Sequence, residues 1–165
     1  MRAIFSTGLT IGVLAATAAF AQTATKYGEE AGWEIMVKDD MGPGCVLMKS
    51  NPDGETQVQM GIDARDGPKG YLAIYTKAAS AVKEGEELSV TFEVDGQEFS
   101  GQATGQQIGE YRGAFVWVNN PDFIYDLAKK KTMRITIPGR DTLILNLDGT
   151  NAAFKKLREC QEAQQ

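Results

Sequence analysis

The chain has 165 residues, with 17 basic and 22 acidic side chains, a net charge of −5 and no histidine. An acidic surface repels phosphate backbones and anionic membranes, which argues against nucleic-acid binding. The missing imidazole excludes Ser-His-Asp and Cys-His catalysis and histidine-held zinc, and with them the most frequent general base and pH switch.

Arg2, an apolar run from Ile11 to Phe20 broken by Gly12 and Thr17, and Ala19-Phe20-Ala21 before Gln22 read as an export signal cleaved after Ala21. A cleaved leader over 1–21 leaves residues 22–165 in an oxidising compartment, periplasmic or further secreted, with a net charge of about −6. No later apolar run reaches the ~18 residues of a membrane span. Gln22 stands where a lipoprotein anchor would need cysteine.

Residues 22–32 are polar and lack a sustained period, so they read as a flexible lead-in, and a single domain spans 33–161. From Trp33 onward apolar residues recur at every second position, the mark of strands with one buried face. Trp33, Ile35 and Val37 alternate with Glu34 and Lys38; Val58, Met60 and Ile62 with Gln57, Gln59 and Asp63; Leu88, Val90, Phe92 and Val94 with Ser89, Thr91 and Glu93. The pattern continues through Phe99, Gly101 and Ala103, through Phe115 and Trp117, through Met133, Ile135 and Ile137, and through Leu143, Leu145 and Leu147. Turn chemistry at Asp53-Gly54, Asp95-Gly96 and Gly139 separates these runs. The expected class is mainly β, an antiparallel meander of about 8–9 strands curled into a sandwich or open barrel.

Two helices interrupt the strands. Asn120, Pro121 and Asp122 open one near 121–130, with Lys129, Lys130 and Lys131 at its negative end. The other covers 150–161 and places Ala153, Leu157 and Cys160 on one inward face. Residues 162–165 read as a frayed tail.

In an exported chain the two cysteines, Cys45 early and Cys160 on the last helix, are expected to form a structural disulfide joining the two ends of the domain. They lack the Cys-X-X-Cys spacing of a redox-active pair.

No catalytic residue, cofactor or metal ligand set is assigned. Asp63, Asp66 and Gly67 suggest a fragment of a calcium loop, but Pro68, Lys69 and Gly70 stand where further ligands would be needed, leaving a solvated hairpin loop. Glu93 and Glu98 flank one hairpin, and a carboxylate pair could hydrolyse glycosides without histidine, yet both occupy the polar phase of their strands. No serine sits in a G-x-S-x-G context. Aromatic residues with an arginine are the better signal. Tyr71 and Tyr75 share one strand face, and Tyr111, Phe115 and Trp117 gather near Arg112. Tyr71, Tyr75, Tyr111, Arg112 and Trp117 therefore form the candidate binding surface, for another protein or a glycan.

Three segments, Gly32-Trp33-Glu34-Ile35, Gly44-Cys45-Val46-Leu47 and the closing stretch from Leu147-Asp148-Gly149-Thr150 to Cys160, resemble exported alphaproteobacterial proteins of the invasion-associated locus B type. The resemblance implies a non-enzymatic envelope protein of a Gram-negative bacterium, in a family linked to host-cell interaction, and carries over no catalytic residues. Two other readings remain beside it: a small-ligand carrier with an apolar cavity between strands, and a hydrolase working through carboxylates.

Overall fold

The computed structural model describes residues 24–78 and 81–164; the expected leader over 1–21 lies outside them. Ten strands run in chain order: β1 Ala24–Glu30, β2 Trp33–Lys38, β3 Gly44–Ser50, β4 Thr56–Asp63, β5 Lys69–Thr76, β6 Glu87–Val94, β7 Gln97–Ile108, β8 Tyr111–Val118, β9 Thr132–Thr136 and β10 Leu143–Asn146. Two α-helices join them, α1 Asp122–Asp126, continued by a 3-10 turn at Leu127–Lys129, and α2 Thr150–Glu162. All strands belong to one open sheet of order β1-β2-β3-β4-β5-β8-β7-β6-β9-β10, antiparallel at every pairing. The meander holds for β1–β5. It then breaks, because β5 pairs with β8 and the chain returns through β7 and β6 before β9 and β10 extend the far edge.

The first strand corrects the expected lead-in. Residues Ala24–Glu30 pair with β2 through the two-residue turn Ala31-Gly32, whose φ values are 50° and 75°. Two successive positive φ angles are what a tight hairpin requires, but alanine is not a residue that announces them. As an edge strand β1 is exposed along almost its whole length, so no buried alternation marks it either.

One face of the sheet carries the main core. Trp33, Ile35, Cys45, Leu47, Met60, Leu72, Val90, Phe92, Val116 and Ile135 meet Ile124 and Leu127 from the α1 region and Ala153, Phe154, Leu157 and Cys160 from α2. Alternation places these residues inward, and α2 lies over β1, β2 and β3 while α1 lies over β4 and β5. Asn120 stands just before α1, whose N-cap is Pro121, and its side-chain Oδ1 accepts the Asp122 N–H at 3.0 Å. Of the three lysines, Lys129 pairs with Asp126 and Lys130 with Asp95.

The disulfide forms. Cys45 of β3 and Cys160 of α2 are joined across 115 positions of sequence, and both are fully buried. Gln161 reinforces the joint, its Oε1 accepting the Cys45 N–H at 3.0 Å.

The opposite face holds a second, smaller cluster of Met41, Val46, Tyr71, Ala73 and Tyr75. Two glycines let the backbone come close here. A Cβ on Gly61 would lie against the Cys45 carbonyl and 2.7 Å from Val46 Cα, and one on Gly113 against the Ile74 carbonyl and 2.8 Å from Tyr75 Cα. Glycine inside a strand marks such an approach.

Candidate binding cleft

The site grows out of the register of β4, β5, β8 and β7. Tyr71 stands opposite Trp117, Ala73 opposite Phe115, and Tyr75 opposite Gly113, which in turn faces Gln106. Gly113 has no side chain, so the Tyr75 phenol crosses it and donates to Gln106 Oε1 at 2.6 Å. Tyr75 thereby commits its one proton, and in the 3.0 Å contact between the two phenols Tyr71 is the donor. Gln59 Oε1 lies 3.4 Å from the Tyr71 hydroxyl, and its Nε2 donates to Gln57 Oε1 at 2.7 Å. A relay of polar groups thus runs beneath the face of the sheet.

Above it, Tyr71, Phe115 and Trp117 pack ring to ring, with centroids 5.0 Å apart for Tyr71 and Trp117 and 5.2 Å for Phe115 and Trp117. Lys38, the last residue of β2, enters from one side with its Nζ 5.7 Å from the Tyr71 ring centre and 3.8 Å from Asp40. It is only 7% exposed. Burial pushes its ammonium below the usual lysine value, against the opposing pull of Asp40. Arg65 enters from the other side, its guanidinium 5.7 Å from the Trp117 ring centre. Buried Asp63 accepts from both Nε and Nη2 of that group, and from the Arg65 backbone N–H at 2.8 Å.

These residues enclose a cleft of about 300 Å³ lined by Lys38, Asp40, Met41, Arg65, Tyr71, Gln106, Phe115 and Trp117. An adjoining hollow of about 540 Å³ shares Lys38 and Gln106 and adds Gln57, Gln59 and Met48. In strand order β2 and β7 are five spacings apart, roughly 24 Å across a flat sheet. A common pocket requires the sheet to curl toward this face, and Gly61 and Gly113 permit that curl.

The sequence-derived surface is therefore divided. Tyr71, Tyr75 and Trp117 do share a face, as expected, but Tyr71 and Tyr75 are buried as its floor, while Trp117 and Phe115 offer partly open rings. Tyr111 lies on the same face yet is tied down, its hydroxyl donating to the Gly54 carbonyl at 2.8 Å with Lys77 over its ring. Arg112 does not belong. As the residue between Tyr111 and Gly113 it projects through the opposite face, where it donates to Gln107 Oε1 at 2.7 Å. Period-2 alternation separates neighbours along a strand, so three aromatics at odd positions could not surround an even-numbered arginine. Lys38, Asp40, Arg65 and Gln106 were not assigned from sequence. Asp66, Gly67 and Pro68 form the solvated turn expected there, whereas Asp63, the last residue of β4, is only 4% exposed and ion-paired with Arg65. Among the described residues no group of three or more acidic, histidine or cysteine side chains is arranged to hold a metal ion. Glu93 and Glu98 are direct cross-strand partners, and Arg134 reaches Glu93 at 3.3 Å.

Burial raises both phenols of the relay, Tyr75 to about 12 and Tyr71 further. The unfolded chain releases these protons near pH 10 while the folded one keeps them, so it binds fewer protons than the native state. Stability accordingly falls as pH rises from about 10 to 12, by up to ~1.4 kcal/mol per pH unit for each phenol. Lys38, shifted the other way, costs stability while it stays charged and loses that cost as pH rises toward its unfolded value of about 10.4, so it does not offset the decline beyond it. Tyr75→Phe is expected to flatten the decline, as read from urea midpoints across that range. An unchanged slope would show that the phenol is not held in its protonated form.

No protein-family model matches the chain, and no curated protein does. Among solved structures, the crystal structure of invasion associated protein B from Bartonella henselae aligns with 82% of this chain and 97% of its own, with a TM-score of 0.52 and 15% identity. At that identity the shared property is the fold: a mainly β architecture, which in the present chain is fastened by one disulfide.

Proposed function

We propose that this chain is an exported, non-enzymatic binding protein whose curled face takes a saccharide segment. The observation that carries the reading is the cleft itself, in which partly open Trp117 and Phe115 rings stand beside Gln106, Lys38, Asp40 and Arg65. A sugar ring presents an apolar C–H face and a perimeter of hydroxyls. The first fits an aromatic wall, and the second needs donors and acceptors together, which amide, ammonium, guanidinium and carboxylate supply. Lys38 and Arg65 already face Asp40 and Asp63, so the cleft has no excess charge of either sign and favours a neutral or weakly charged chain over a polyanion. The combined hollows reach the size of ordinary ligand sites. Export is supported by the leader-like segment and by a disulfide of the kind that persists outside the cytosol. A non-catalytic role is supported by the absence of histidine and by both cysteines being bonded to one another.

The test is a panel of bacterial and host oligosaccharides scored for binding by the unaltered protein and by Trp117→Ala and Gln106→Ala, each checked for folding by circular dichroism. Binding that falls about ten-fold or more in both variants supports the cleft. Binding that both variants leave intact, or no binding to any glycan alongside capture of a protein partner, contradicts it.

A further inference from the structure

We infer that the chain has a second, separate site: an apolar cavity on the core face that takes a small monocarboxylic acid with an apolar body. The cavity measures about 170 Å³ and is walled by Leu72 and Ile74 of β5, Ala114 and Val116 of β8, Val90 of β6 and Ile135 of β9. Among the described residues the two helices pack on the β1–β5 side of the sheet, and the cavity lies beyond them against β5, β8, β6 and β9. The space opens to solvent but matches in size an engineered apolar cavity of about 150 Å³ that binds benzene, so it accepts a single ring or a chain of about six carbons.

Two exposed charged residues line the cavity, Arg112 and Asp141. Arg112 uses one N–H on Gln107 and forms no ion pair among the described residues, which leaves the rest of its donor fork for a carboxylate. Asp141 shares the opening and makes the local charge neutral, so apolar contact supplies most of the affinity and Arg112 sets a preference for one negative group over two. Arg112, misplaced in the aromatic surface, thus acquires a role on the other face. This inference does not rest on the saccharide reading. The two sites lie on opposite faces of the sheet.

The probes are hexanoate and phenylacetate, with hexanol as the neutral counterpart, titrated into the protein with its disulfide intact and followed through side-chain methyl resonances. Saturable shifts confined to Leu72, Ile74, Val90, Val116 and Ile135 are expected. Ala114→Leu, which fills the space, should weaken all three probes about ten-fold or more, and Arg112→Ala should weaken the two acids several-fold while leaving hexanol unchanged. Absence of saturable shifts at these methyls, or shifts that persist in a folded Ala114→Leu variant, overturns the site. Equal effects of Arg112→Ala on hexanoate and hexanol overturn the acid preference. Should Ala114→Leu fail to fold, the methyl map of the unaltered protein decides.

Discussion

Replacing Cys45 and Cys160 together with alanine lowers the unfolding free energy by on the order of 4 to 5 kcal/mol. The bond closes a loop of 115 positions, and the loop-closure entropy removed from the unfolded ensemble grows with loop length to about that value. It is a large share of the 5–15 kcal/mol that typically holds a domain together. For a domain near this size the loss corresponds to a fall in midpoint temperature of roughly 10 to 20 °C. The consequence is local as well as global. Without the bond, α2 is held to β3 by its apolar face and by the hydrogen bond from Cys45 N–H to Gln161 Oε1, so the helix is the element expected to loosen first. Calorimetry of the double variant and of reduced wild-type protein should give the same drop. A difference of less than about 1 kcal/mol from the oxidised protein would mean that the ends of the domain do not need the clasp.

Gly113→Ala is expected to cost about 3 kcal/mol, at the upper end of ordinary overpacking, because the added carbon meets backbone and not a side chain that can swing away. The change forces β8 from β5 at the point where the Tyr75 phenol crosses to Gln106, so it damages the floor of the cleft along with the sheet. Gly101→Ala is the control. Its Cβ would sit 3.5 Å from a Val116 methyl, an ordinary contact, and its cost should stay below about 1 kcal/mol or turn into a gain from reduced unfolded-state entropy. Urea denaturation of the two variants compares them directly. Equal costs would show that the close approach at Gly113 is not what requires glycine.

Most of the β architecture was legible because burial on one face writes itself into alternate residues. Apolar alternation marks β2, β4, β6, β7 and β9; burial follows it throughout β6 and β9, while β4 is buried on both faces and the start of β7 is exposed, and the Asp95-Gly96 turn joins β6 to β7 where expected. The strand order was not legible past β5. The choice between β6 and β8 as its neighbour depends on how the sheet as a whole closes over its core, and no local residue encodes it. β1 escaped for the opposite reason, since an exposed edge strand buries almost nothing and leaves no period.

The cleft was half visible. Tyr71, Tyr75 and Trp117 share a face by simple counting, yet counting gives neither burial nor the distance between strands remote in order. Lys38 and Gln106 meet only through sheet curvature, and Arg65 joins them from a turn. One clue did stand in the sequence: Gly61 and Gly113 inside otherwise regular strands are signs of close backbone approach, and they flank the two buried tyrosines.

The chain has two tryptophans, Trp33 in the main core and Trp117 on the wall of the cleft, which makes the decisive measurement a simple one. Their indole N–H resonances should be followed while binding oligosaccharides are titrated into the protein. Saccharide recognition by the curled face moves the Trp117 signal saturably and leaves that of Trp33 in place. Glycan binding that leaves Trp117 unmoved, or no glycan that moves it at all, would contradict the assignment of this face as the binding site.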